Sequence, residues 1–268
     1  MHLWEQKKFK LDDTVFGLGG ILNEPMYQTA IDARYFNITV RQLMSHSAGF
    51  SFPYPTDPLF ETYNIAIASG LPAPTDSLAL VISWAMKNKA LNYTPGTSAQ
   101  YTNFAFGVLG KVIEKLSGKK YETYVRDSIL APLNIQEMYA GRTLQKDTLP
   151  NEVSYYNYAG APLGTSIYTG IPNSVPTPYG VYNYEIMTPA GGWVAAAQDL
   201  CKLLVAVDKF TTKPDMLLPA TIDTMTRSLP TWANYALGWN VKPGSKDYWH
   251  TGGVEGTASI MKRNETQQ

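Results

Sequence analysis

Two short stretches concentrate the side chains of this sequence that could do chemistry together: Tyr-Thr-Asn at 101–103 and His-Thr-Gly-Gly at 250–253. A free phenol titrates at about 10, so Tyr101 can act as a base only where neighbouring cations favour its anion; otherwise it relays a proton. Asn103, two residues on, offers a donor and an acceptor, a match for the amide of a peptide or an acylamino group. An imidazole titrates at about 6.5, so activity that depends on His250 should change over mildly acidic pH. Other candidates are few. The histidines are His2, His46 and His250, Cys201 is the single cysteine, and no His-Glu-x-x-His pattern occurs, which argues against a metal site. The Walker phosphate loop, the full dinucleotide-binding glycine pattern and the Gly-x-Ser-x-Gly elbow are missing, and no cofactor is implied. His46 stands between Ser45 and Ser47, which invites a Ser-His-Asp triad, but its place at the end of a short helix favours backbone capping.

These residues need elements to hold them. Thr39 followed by Gln42 makes a capping box for a short helix with Val40, Leu43 and Met44 on one apolar face and Gly49 available to end it. Phe50 to Pro74, rich in proline and aromatic residues without periodicity, reads as a long ordered loop. A helix capped by Thr75 or Asp76 follows, with Leu78, Val81, Ile82 and Ala85 at helical spacing. The next sets Phe106, Leu109, Val112, Ile113 and Leu116 along one side, with Asn103 as N-cap and Gly118 as C-cap. A further helix in YETYVRDSILAPL ends at Pro132. Together they predict a mostly helical lobe over about 20–188, whose part from 139 to 190 is dominated by loops. AAAQDLCKLLVAVDKF and LPATIDTMTRS predict two more helices, and YALGWNV, DYWHTGG and GTASIMK three successive strands. With residues 1–19 they form a sheet lobe, 189–268. The fold class is α/β in the α+β sense, an antiparallel sheet flanked by helices beside a helical lobe. Strand alternation puts His250 and Gly252 on one face. Cys201 is expected to be an inert core residue, Lys7, Lys8 and Lys10 a solvated helix face, and Trp193 either lines the cleft or packs.

In chain order these segments resemble a known family. Pro95 to Tyr121 resembles the Tyr-x-Asn region of the serine β-lactamase and penicillin-binding protein superfamily, with Tyr101 and Asn103 as the motif residues. The branch is that of type C β-lactamases, D-alanyl-D-alanine carboxypeptidases, D-aminopeptidases and related esterases. LDDTV at 11–15, ITVRQLMSHSAGF at 38–50, PL at 132–133 and PAGGWVAAAQDLCKLL at 189–204 resemble further landmarks in the right order. WHTGGVEGTAS resembles the third motif, with His250, Thr251 and Gly252 where β-lactamases carry Lys-Thr-Gly. The resemblance implies a serine hydrolase that works through an acyl-enzyme on a D-alanyl peptide, a β-lactam or a small ester. It also implies that the His250 face lines the cleft and that Tyr101 and Asn103 sit at the reacting and binding groups of the substrate. Thr251 would bind a substrate carboxylate, Gly252 would let substrate lie along the strand, and the Gly253 N–H would form half of the oxyanion hole.

The family's first motif, Ser-x-x-Lys, supplies nucleophile and lysine from one helical face. Two bare matches occur, Ser117 with Lys120 and Ser259 with Lys262. The first is interrupted by Gly118 at a helix end, and the second falls on a strand, where an offset of three points to opposite sides. In relatives the motif precedes the segment resembling LDD, and only ten residues precede Leu11. The nucleophile is therefore expected upstream of Met1, residues 1–268 are expected to be a fragment of one domain with an incomplete sheet, and the chain as given is expected not to acylate. The alternative is a non-catalytic relative that keeps the cleft to bind peptidoglycan-like peptides or a partner protein.

Composition narrows the partners. With 22 basic and 22 acidic residues the formal charge is zero, which leaves no electrostatic footprint for nucleic acid or anionic lipid. No run of about 18 apolar residues suggests a membrane span, and a lone cysteine forms no internal disulfide. A small molecule or peptide is the expected partner. Oligomeric state stays open, and a periplasmic or extracellular site is favoured by the resemblance alone.

Overall fold

The capping box at Thr39 forms: its side chain accepts the Gln42 N–H, and Gln42 Oε1 accepts the Thr39 N–H at 2.9 Å. It starts helix α2 (Val40–Met44), which follows a single N-terminal turn, α1 (His2–Glu5). The structure, a computed structural model, describes residues 1–53, 55–171 and 173–266. Helix α2 stops at Met44, and the residue that turns left-handed after it is His46 (φ 55°), three positions before Gly49. A non-glycine residue holds that conformation only where its surroundings fix it, and here the imidazole is built into the site described below.

The expected loop from Phe50 to Pro74 contains a helix, α3 (Thr62–Ala68). Asp57 precedes it, accepting the Leu59 N–H at 3.0 Å to start a 3-10 turn at Pro58–Phe60. Asp-Pro at a helix start is a capping signature, masked in the sequence by the surrounding prolines. Helix α4 (Leu78–Asn88) is capped by Ser77, whose hydroxyl accepts the Leu80 N–H; Thr75 instead takes the Ser77 N–H, and Asp76 takes the Asn183 amide. Helix α5 (Asn103–Ser117) ends at Gly118 (φ 69°) as expected, but its N-cap is Thr102, with Asn103 inside the first turn. Its buried residues are Phe104, Ala105, Gly107, Val108, Gly110 and Val112, while Phe106, Leu109 and Leu116 form a half-buried flank. A Cβ at Gly110 would lie 2.4 Å from Pro189 Cγ, so glycine lets the Thr188–Ala190 turn press on α5. Helix α6 (Tyr121–Val125) runs on through a π turn at Arg126–Leu130 and a 3-10 turn at Ala131–Leu133, and reverses at Asn134 (φ 52°) rather than at Pro132. These elements enclose one large core that draws on Val15, Ile38, Leu43, Ile82, Phe104 and Met187.

The remainder is thinner. Short strands β1 (Tyr139–Ala140) and β4 (Trp193–Val194) pair, as do β2 (Gly164–Thr165) and β3 (Ser174–Val175). Helices α7 (Ala197–Val205) and α8 (Pro219–Met225) precede a three-stranded antiparallel sheet in the order β5 (Asn240–Val241), β6 (Tyr248–Val254), β7 (Thr257–Arg263). Cys201 is exposed on α7, not buried as expected. The strand expected from Tyr235 is reduced to Asn240–Val241 because the residues before it bond elsewhere: the Leu237 N–H goes to the Met225 carbonyl and the Gly238 N–H to the Met44 carbonyl, each at 3.0 Å. That detour ties the sheet to α2 and brings Tyr235 beneath it. Two small clusters, one around Val207, Leu217, Ile222 and Met225 and one of Ala236, Val241 and Tyr248, are the sheet's apolar support.

Candidate active site

The two motifs meet where α5 begins and β6 leaves its second neighbour. The Tyr101 ring centre lies 6.3 Å from that of His250. Between and below them sits His46, buried, with its ring 4.2 Å from Tyr101, 5.1 Å from Phe106 and 5.0 Å from Tyr235. Its Nδ1 accepts the Thr102 N–H at 3.3 Å, so the remaining proton belongs on Nε2, which lies 3.1 Å from the Tyr235 hydroxyl. The Tyr235 hydroxyl in turn is 3.4 Å from His250 Nε2. A line of neutral groups, imidazole, phenol, imidazole, thus runs from the N-cap of α5 to the sheet. The His46 ring makes no cap on the short helix it follows; it bonds Thr102 and Tyr235 instead, a place in the site that sequence reasoning discounted.

Asp57 holds the other side of the same helix start. Buried, it accepts the Thr102 hydroxyl at 2.7 Å and the Phe104 N–H at 3.0 Å, besides capping its own turn. A carboxylate at a helix N-terminus meets unsatisfied N–H groups and the positive end of the dipole. One buried side chain therefore fixes both the loop before α3 and the stretch that presents Tyr101 and Asn103. Asp57-Pro58 was readable as a local cap; its reach to residue 104 was not.

Burial governs the electrostatics. It lowers His46 to about 3, helped by the neighbouring His250. It also lowers His250 below its ordinary value, against a bond to the Thr251 backbone, so the transition expected in mildly acidic solution moves to lower pH. For Tyr101, burial and then the Asp57 charge push the phenol up, and no cation among the described residues offsets them. Asp57 is raised by burial, with its hydrogen bonds pulling the other way.

The remaining sequence-derived residues are placed as follows. Asn103 is half-buried in the first turn of α5. Thr251 is exposed and, by strand alternation, points away from the His250 face. Gly252 pairs with Ser259, and a Cβ there would meet Ser259 Oγ at 2.6 Å; at Gly253 a Cβ would meet nothing within 4 Å. Beyond Trp249, β6 has β7 on one side and no strand on the other among the described residues. Trp193 packs against Tyr121. Ser117 accepts the Lys119 N–H at the end of α5, and Ser259 and Lys262 share strand β7 at the offset that sends them to opposite faces.

The family described as Beta-lactamase matches residues 1–267 of this chain. The chain belongs to the beta-lactamase family. It is 26% identical over 231 residues to an unguisins hydrolase of Aspergillus campestris, a match that covers 82% of this chain and 39% of the relative. Its fold is that of a D-stereospecific amidohydrolase from Streptomyces sp. (TM-score 0.67, 24% identity, 98% of this chain and 73% of that one). A similar fit is found with an octameric penicillin-binding protein homologue from Pyrococcus abyssi (TM-score 0.66, 22% identity, 99% and 56%). The chain spans less than half the length of the first curated relatives it matches, 39% and 45%. Family membership bears out the resemblance carried by the Tyr101 and His250 segments, and with it the fold class. No helix among the described residues is long and apolar enough to cross a membrane.

Proposed function

We propose that these residues form the substrate cleft of a serine hydrolase of the β-lactamase/DD-peptidase type, which cleaves a D-alanyl peptide, a β-lactam or a small ester through an acyl-enzyme. The observation that carries the reading is the approach of Tyr101 to His250 from two separate elements, with Gly253 farther along the same strand. Acyl transfer needs a proton path to the nucleophile and leaving group, and N–H donors for the oxyanion. In this assignment Tyr101 and His250 belong to the proton path and the Gly253 N–H to the oxyanion site. Asn103 and Gly252 hold the substrate, and Thr251, whose side chain points away from the His250 face, contributes its backbone alone.

Neither Ser-x-x-Lys match, Ser117 with Lys120 or Ser259 with Lys262, sets its serine and lysine on one helical face, and in this assignment the reaction draws its nucleophile from a Ser-x-x-Lys outside these residues. The raised Tyr101 phenol fits that arrangement, since no cation among the described residues favours its anion. The same fact favours a second reading for these residues acting alone, a cleft that binds a peptide or partner without turning it over. Fluorescent penicillin or a fluorophosphonate tests both. Residues 1–268 should take no covalent label, whereas a longer protein with an in-frame upstream Ser-x-x-Lys should be labelled. In that longer protein Tyr101→Phe should lower turnover by about a hundredfold or more with the fold intact. Label on the short chain, or unchanged turnover in Tyr101→Phe, would overturn the assignment.

A further inference from the structure

The turn joining β6 to β7 carries one carboxylate, Glu255, into the wall of a cleft of about 650 Å³. Phe60 and Tyr182 line the cleft from the helical side, and Gly253, Val254 and Ala258 from the hairpin. Glu255 is the sole acidic or basic side chain among the described residues that line it.

Its position is built. Asn157 Nδ2 donates to Glu255 Oε2 at 2.7 Å and to Thr177 Oγ1 at 3.0 Å. The turn itself is pressed onto the same loops: Gly256 has φ 80°, and a Cβ there would lie 2.8 Å from Pro178 Cγ and 3.2 Å from the Tyr156 backbone. An amide can orient a carboxylate but does not neutralise it. Among the described residues no lysine, arginine or histidine forms an ion pair with Glu255. A fixed anion beside apolar surface and without a countercharge lowers its free energy by taking a cationic ligand group. The rings of Phe60 and Tyr182, edge to face at 5.3 Å, suit the apolar body of such a ligand and add attraction for its charge.

We propose that this cleft binds molecules carrying a protonated amine on an aromatic or apolar body, with Glu255 as the specificity-determining residue. Because Gly253 borders both the cleft and the assigned oxyanion site, the substrate would be an amine-bearing amide, peptide or ester. That last step rests on the hydrolase reading; the binding preference does not.

The test is equilibrium binding to the 268-residue chain, followed by amide-resolved NMR, with 2-phenylethylamine, 2-phenylethanol and 3-phenylpropionate as probes. The amine should bind about tenfold tighter than the alcohol, the carboxylate weakest, with shifts centred on Gly253 and Glu255. Glu255→Gln should abolish the preference, and Glu255→Asp should restore part of it, each with an unchanged fold. Equal binding of the probes, a preference that survives Glu255→Gln, shifts mapping elsewhere, or no saturation by amine at about 10 mM would each overturn the proposal. The readout needs no turnover. Absence of covalent labelling in the longer protein would remove the hydrolase reading and leave this result standing.

Discussion

Helix α5 and strand β6 each present one motif of the site, and they are held by opposite means. The start of α5 is locked from beneath by Asp57, Thr102 and His46, all buried, and its far half is pressed on the 188–190 turn through Gly110. Among the described residues strand β6 has strand partners on both sides only at Tyr248 and Trp249, and beyond them it is next held at its turn, where Asn157 bonds Glu255. From Thr251 onward it is exposed, with β7 alone beside it. Buried polar groups that are fully bonded fix a geometry tightly, because any departure leaves a donor or carboxylate unpaired in low dielectric. A strand with one paired edge can shift at little cost. The Tyr101 side is therefore the rigid reference, and the stretch from Thr251 to Gly253, between Trp249 and the held turn, the more adjustable one.

The sharpest way to break that contrast is Asp57→Ala. It strands the Leu59 and Phe104 N–H groups and the Thr102 hydroxyl, and should cost roughly 3 kcal/mol, about 6 °C in Tm. Calorimetry checks this, and a loss under about 1 kcal/mol would mean that water replaces the carboxylate. Next comes Gly110→Ala. Its new methyl collides with Pro189, and urea unfolding should show a loss of about 2 kcal/mol.

Acid should then act through His46. Its folded value of about 3 lies below the ordinary 6.5, so the unfolded chain binds a proton that the folded one excludes. Stability is full above 6.5 and falls as pH drops toward 3, by at most about 1.4 kcal/mol per pH unit from this residue. His250, shifted the same way, adds to the loss, and Asp57, raised by burial, opposes it at the acid end. Denaturation midpoints measured from pH 7 to 4 should decline, with a shallower slope in His46→Gln. The smallest effect is expected at Gly252→Ala, under about 0.5 kcal/mol, although its Cβ would approach Ser259 Oγ at 2.6 Å. Ser259 is exposed and its hydroxyl can rotate away. Equal losses at residues 110 and 252 would erase the difference between the two walls.

Local chemistry was legible in the sequence wherever the cause lay within a few residues. The Thr39 capping box, the Gly118 cap and the hairpin of residues 248–263 all formed as read, because each follows from neighbouring side chains and backbone. So did the family, whose motifs are contiguous words. Boundaries set by distant contacts were misread. Helix α3 hid among prolines, the N-cap of α5 moved from Asn103 to Thr102 under the pull of Asp57, and the strand expected from Tyr235 dissolved into bonds to Met44 and Met225.

The amino-acid sequence by itself determined the family, and with it the expectation that Tyr101, Asn103 and His250 to Gly253 meet a substrate. Only the tertiary structure decided what surrounds them. It placed His46 and Tyr235 between the two motifs and aimed Glu255 into the cleft with no ion-pair partner among the described residues. It also drove the histidines toward their neutral forms and the Tyr101 phenol away from its anion. The physical reason is that desolvation and long-range hydrogen bonds depend on which segments fold against one another, a property that no local spacing encodes.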